Sequence, residues 1–120
     1  MTKRGRASHE RSLDYLCHHV HLIGESREDL AWVIKEPIWH PDGKIQQYSM
    51  PDLIAYFYTD KYLVVELKAN GHDSSKAKRQ LMQGRRFLEQ MFDVEPHRIV
   101  RKLVIYNGLS YDWKYIGRQR

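Results

Sequence analysis

Asp52, Glu66 and Lys68 are the residues of this 120-residue chain whose types and spacing point to chemistry. Thirteen residues separate the two acids, and that stretch, LIAYFYTDKYLVV, is apolar on either side of one polar turn. In an extended strand residues two apart share a face. Tyr62, Val64, Glu66 and Lys68 therefore line one side, and Leu63, Val65, Leu67 and Ala69 the other. The second set reads as a core face. The first begins apolar and ends charged, with a carboxylate and an ammonium about 7 Å apart along the strand. Charges placed in an apolar strand cost free energy unless they pair or bind something.

Asp52 opens the preceding strand, and a tight turn at Thr59-Asp60 makes the two strands antiparallel neighbours. Counting outward from that turn sets Asp52 near residue 67 or 68, within reach of Glu66 and Lys68. Two carboxylates held close repel each other unless a cation lies between them. Oxygen donors of this kind suit Mg²⁺ or Mn²⁺. A lysine beside such a cation can stabilise the charge that develops in phosphoryl transfer, or help position the attacking water. The other account of the same residues is structural: a surface ion pair between Glu66 and Lys68, with Asp52 capping the start of the strand.

Pro51-Asp52, thirteen residues, then Glu66-Leu67-Lys68 resembles the motif of the PD-(D/E)XK nuclease superfamily. The resemblance implies an α/β, restriction-endonuclease-like core, a mixed β-sheet flanked by helices. It implies Asp52, Glu66 and the Leu67 main-chain carbonyl as ligands for Mg²⁺ (Mn²⁺ substituting), and Lys68 as the catalytic lysine of phosphodiester hydrolysis. Many members carry a glutamate on the first helix, which makes Glu10 a further metal-ligand and catalytic candidate. Complementarity to the helix dipole accounts for Glu10 equally well. Several branches place a glutamine on the second helix. Gln80, inside the apolar arc, is the candidate, while Gln83 turns further towards solvent. "PDLIA" and the early glutamate resemble archaeal-type Holliday junction resolvases; "VVELKA" before a glutamine-bearing helix resembles virus-type replication-repair nucleases. The implied activity is a metal-dependent, structure-directed DNA endonuclease, junction-resolving or nicking, acting in recombination or repair. Because one such site cuts one phosphodiester, a homodimer is expected. The alternative is a catalytically silent nuclease fold that binds DNA. A second Pro-Asp pair, Pro41-Asp42, precedes Gly43 and is explained by turn chemistry.

The elements that must position these residues follow from periodicity. Behind a basic, mobile arm at residues 1–7, Ser8 caps a helix to about Ile23, with Leu13, Leu16, Cys17, Val20 and Ile23 at helical spacing. Gly24 ends it. Leu30 to Trp39 reads as extended, and residues 40–43 as a turn. Strands at 52–58 and 61–69 precede a loop, and a helix runs from Ser74 or Ser75 to about Met91. Ala77, Leu81, Gly84, Leu88 and Met91 share its apolar face. A strand at 98–106 reaches Asn107-Gly108, a two-residue hairpin signal, and residues 109–120 add a returning strand and a basic end. The order is helix, strands, helix, strands in one domain of 120 residues.

Composition sets the outer bounds. The chain carries a formal net charge of +5 and a pI near 9.4, which favours a polyanionic partner. From Ser74 to Leu88 there are Lys76, Lys78, Arg79, Arg85 and Arg86 and no acid. With Lys3, Arg4 and Arg6 these are the expected contacts to DNA phosphates. No apolar run is long enough to span a membrane, and no secretory signal follows the basic start. The single cysteine, Cys17, excludes an internal disulfide and fits a reducing, cytoplasmic setting, of a cell or of a virus's host. His18, His19 and His21 lack cysteine partners at zinc spacing and read as surface histidines. Tyr56, Tyr58, Trp113 and Tyr115 can all be core, and with Tyr111 the last two also offer a dimer surface.

Overall fold

The computed structural model describes residues 3–39, 50–69, 74–108 and 110–117, with side chains from residue 8 onward. The turn expected at 40–43, residues 70–73 of the expected loop, the side chains of Lys3, Arg4 and Arg6, and the basic end at 118–120 lie outside the described residues. Helix α1 covers Lys3–His18 and is followed by a 3-10 turn at Val20–Ile23. Strands β1 (Leu30–Lys35), β2 (Leu53–Phe57) and β3 (Lys61–Ala69) precede helix α2 (Ser74–Phe92). A second 3-10 turn, Pro96–Arg98, leads into β4 (Ile99–Tyr106) and β5 (Tyr111–Tyr115). The strands form one mixed sheet in the order β1-β2-β3-β4-β5, antiparallel except for the β3–β4 pair that α2 connects.

Strict alternation divides the sheet into two apolar faces. On one, Leu53, Ala55, Phe57, Leu63, Val65, Leu67 and Val104 meet Leu13, Leu16, Val20 and Ile23. On the other, Ile54, Val64, Ile99 and Leu103 meet Ala77, Leu81 and Leu88 of α2. The α/β class and the element order agree with the sequence. Helix α1 begins earlier than expected: the basic arm is helical from Lys3, so Ser8 is no cap, and its carbonyl accepts a hydrogen bond from Ser12 Oγ at 2.8 Å. Met91 is exposed although the apolar pattern placed it inward. It lies in the last turn of α2, beyond the Leu88 contact with the sheet.

Two loop lengths also differ. The β2–β3 connection is three residues, since Phe57 pairs with Lys61, and Asp60 takes the left-handed φ of 68° that closes such a loop. Asp52 consequently falls opposite Glu66, one or two positions short of the expected partner. At the other hairpin Tyr106 pairs with Tyr111, and Asn107 N–H donates to the Ser110 carbonyl at 3.1 Å. The Asn-Gly pair thus opens a four-residue loop.

The aromatic residues expected in the core are largely at its margins. Tyr58 is 74% exposed, Tyr115 48% and Trp113 37%, and Tyr56 is half-buried. The inner side of β5 is occupied by the chain itself. Tyr111 Oη donates to the Ser12 carbonyl at 2.8 Å, and Trp113 lies against Gly24, where a Cβ would come within 2.7 Å of its ring. Tyr111 and Trp113 thus lean in part on the chain itself, while Trp113 and Tyr115 keep exposed area on β5.

Candidate active site

The charged half of β3 lies where α1 and α2 both begin. Each helix packs antiparallel to β3: His9 of α1 contacts Leu67 near the strand's end, and Gly84 of α2 sits on Val64 further back. Four residues of helix rise about 6 Å and two residues of strand advance about 6.6 Å. One turn before Gly84, Gln80 is therefore level with Glu66.

Asp52 and Glu66 are locked to each other's strand. The Leu67 N–H donates to Asp52 Oδ2 at 2.8 Å, and the Asp52 N–H donates to Glu66 Oε1 at 3.0 Å. Lys68 Nζ lies 3.0 Å from Glu66 Oε2, with the glutamate side chain 2% exposed and the lysine 20%. The pair is thus a buried carboxylate with an ammonium at the solvent edge, not a surface bridge. His9 Nε2 approaches Asp52 Oδ2 at 3.3 Å and the Leu67 carbonyl at 3.2 Å. Both partners accept, so that nitrogen carries the proton.

The two carboxyls respond in opposite directions. Burial, then the Asp52 charge, pushes Glu66 up to about 8, with Lys68 pulling the other way. Burial would also raise Asp52, but hydrogen bonds from His9, from the Leu67 N–H and from Glu66 hold it below its usual value. Asp52 in turn raises His9, against the effect of burial. The metal-free pair thus shares one proton, with the neutral form on Glu66. Among the described residues no group of three or more His, Cys, Asp or Glu side chains is arranged to hold a metal ion. Two carboxylates, a main-chain carbonyl and water are nevertheless a donor set that Mg²⁺ and Mn²⁺ accept, and a cation can take the place of the shared proton. In that sense the residues fit the group.

The other candidates are placed as follows. Gln80 is buried on the sheet side of α2, and so is Gln83, which was expected nearer solvent. Gln83 Oε1 accepts from Arg86 Nη1 at 3.1 Å. Glu10 is exposed on α1, and the place expected of it is taken by His9. His9 lies four residues before Leu13 and seven before Leu16, on the helix row that packs against the sheet, and that spacing was the signal. The α2 cations form two rows rather than one stripe. By helical spacing Lys76, Arg79 and Arg86 flank the buried glutamines, while Lys78 and Arg85 lie opposite. Lys76, Lys78, Arg79 and Arg86 are exposed, and Arg85 pairs with Glu89 at 3.2 Å. Lys3, Arg4 and Arg6 fall in the first turns of α1.

No family model matches the chain, and no curated protein matches its sequence. Among solved structures, Hjc, a Holliday junction resolvase from the archaeal hyperthermophile Archaeoglobus fulgidus, is similar in fold. It is 15% identical, with a TM-score of 0.44, and the match covers 86% of this chain and 70% of that one.

Proposed function

We propose that this chain is a metal-dependent DNA endonuclease of the PD-(D/E)XK type, structure-directed rather than sequence-reading. The observation that carries the reading is the convergence of Asp52, Glu66, the Leu67 carbonyl and Lys68 at one end of β3. In hydrolysis the oxygen of water bonds to phosphorus while the bridging P–O bond breaks, and a proton passes from the water to the leaving oxygen. Asp52, Glu66 and the Leu67 carbonyl would hold the cation, which when bound supplies Lewis acidity towards a phosphate oxygen. Lys68, a compact ammonium at the solvent edge, offers positive charge to the phosphate as negative charge builds on it. Gln80 is level with Glu66 and is assigned to orienting water. Lys76, Arg79 and Arg86, with the Lys3–Arg6 turn, supply sequence-independent attraction to the DNA backbone. Two copies acting together would cut two strands.

The test is a cleavage assay with Mg²⁺ on linear duplex, single strand, flap and four-way junction, run on the wild-type protein and on Lys68→Ala. Without Lys68, Glu66 can remain protonated, so the fold and DNA affinity are expected to persist. The cleavage rate should fall roughly 100-fold or more, and Lys68→Arg should not restore it, because a planar fork does not replace a compact ammonium. Calorimetry with Mn²⁺ should lose its binding heat in both Asp52→Asn and Glu66→Gln. The same contacts in a silent DNA-binding module would give no Mg²⁺-dependent cleavage of any substrate and equal DNA affinity for all these variants. Absence of Mg²⁺-dependent cleavage of every substrate would sink the nuclease reading, and Lys68→Ala cutting at the parental rate would make Lys68 structural and remove the reading's best support.

A further inference from the structure

Beside the candidate site, α1 and the β4–β5 hairpin enclose a cleft of about 470 Å³ that the proposed chemistry does not use. Its walls are Ser8, Arg11, Ser12 and Tyr15 from α1, and Tyr106 and Tyr111 from the hairpin. Residues 8, 11, 12 and 15 form one stripe of the helix, next to the row of His9, Leu13 and Leu16 that faces the sheet. On an isolated amphipathic helix this polar stripe would face water. Here the hairpin tyrosines stand opposite it.

The lining has the chemistry of a nucleotide site. Tyr15 stacks on His19 with ring centres 3.9 Å apart, and lies nearly parallel to Tyr111, 7° between planes and 6.5 Å between centres. Tyr106 leans on Tyr111 at 5.4 Å. His19 covers one face of Tyr15, and the parallel Tyr15 and Tyr111 rings are the pair against which another planar ring would stack. Tyr111 Oη and Ser12 Oγ give their protons to the carbonyls of Ser12 and Ser8, so both hydroxyls keep acceptor lone pairs for the amino groups of a base. Arg11, exposed at the cleft, brings the cation that a phosphate needs.

The cleft also adjoins the carboxylates. Ser8 precedes His9, and Tyr106 pairs with Ala69, the residue after Lys68. One residue along a strand and one strand across put Tyr106 within about 8 Å of the Lys68 backbone. Tyr106 is on the α1 face of the sheet and Glu66 and Lys68 point to the α2 face, so one strand would join the two places around the end of β3, past His9, which touches Asp52 and the Leu67 carbonyl. A base stacked within a duplex has no free face, whereas an unpaired one does.

We infer that this cleft takes an unpaired DNA nucleotide adjoining the phosphate at Asp52 and Glu66, making the substrate one with a single-stranded or splayed nucleotide at the cut. The adjoining phosphate rests on the nuclease reading; the cleft's affinity for an unpaired base does not. Fluorescence anisotropy of the full chain, without divalent metal, compares a labelled single-stranded DNA oligonucleotide with the blunt duplex of the same sequence. Tyr15 is 52% exposed, so Tyr15→Leu should fold. It should weaken single-strand binding roughly 10- to 100-fold, the effect of losing one stacked base, and change duplex binding less than about threefold. Tyr15→Phe and Tyr111→Phe keep their rings and should retain the affinity. Arg11→Gln should lower the salt dependence by about one counterion. Equal loss on both DNAs, or no loss, overturns the inference, and tighter binding of the matching RNA overturns its assignment to DNA. If no substrate is cut yet Tyr15→Leu selectively loses single-strand affinity, the nuclease reading fails and the cleft stands. If cleavage is robust and Tyr15→Leu binds normally, the reverse holds.

Discussion

Glu66 is the residue on which the electrostatics of the site turn. Its carboxyl is buried against Asp52, and burial first, then the Asp52 charge, raises it from the usual 4.5 to about 8. Between those values Glu66 keeps in the folded protein a proton that the unfolded chain has lost, and above 6.5 the raised His9 adds in the same direction, so the stability of the metal-free protein should fall as pH rises through that window. Urea unfolding in chelator from pH 5 to 8 should show the decline, and Glu66→Gln should flatten it. An equally steep decline in Glu66→Gln would assign the effect elsewhere. The spacing of Asp52, Glu66 and Lys68 was legible in the sequence because strand alternation fixes which side chains share a face. The exchange of Glu10 for His9 was not. Both lie within one turn of Leu13, and only the packing of α1 against the end of β3 selects between them.

At the scale of elements, the contact between α2 and the sheet decides whether the site is closed. Gly84 lets the helix backbone rest on β3 two residues before Glu66: a Cβ there would lie 2.5 Å from Val64 Cγ1 and 2.7 Å from Pro51 Cγ. Pro51 adjoins Asp52, so lifting the helix should disturb that carboxylate as well as the core. Gly84→Ala is expected to destabilise the fold by about 1–3 kcal/mol and to weaken Mn²⁺ binding. A melting temperature and a calorimetric isotherm both equal to those of the wild type would show that α2 yields without cost. Sequence periodicity recognised this helix and its apolar arc, but a glycine in that arc reads only as a weak point. Its reason is a close approach that exists once the helix is docked.

Over the whole molecule, charge and cover are arranged from end to end. Both helices begin at the edge that holds Asp52 and Glu66, so their positive ends and the basic residues of their first turns gather there. At the other end Lys102 is 1% exposed, donates to the Ile23 carbonyl at 2.6 Å and to Glu25 at 2.5 Å, and lies 3.8 Å from the Trp113 ring. Lys61 pairs with the same glutamate. Strand β5 is thus a roof over a buried ion pair, so a chain truncated after Asn107 should lose about 3 kcal/mol or more. The check is chemical denaturation of the truncated protein beside the full chain. Unchanged stability would mean that β5 is dispensable. Trp113 and Tyr115 remain exposed on β5, the surface through which the proposed homodimer would form. Sedimentation of the intact chain tests it: a species of 14.4 kDa at working concentration would be the monomer.

The amino-acid sequence by itself determined the element types, the order helix-strands-helix-strands, the core face of the 61–69 strand and the alignment of Glu66 with Lys68. Each follows from a local period of two or of 3.6 residues and from turn chemistry. Tertiary structure decided the rest. A third loop residue with Asp60 at positive φ set Asp52 against Glu66. The docking of α1 brought His9 to Asp52 and the Leu67 carbonyl, and the return of β5 converted a polar helix stripe into a tyrosine-lined cleft. The local pattern cannot specify these because each depends on where two distant segments meet, and a shift of one residue in loop length or one step around a helix leaves the hydrophobic period unchanged.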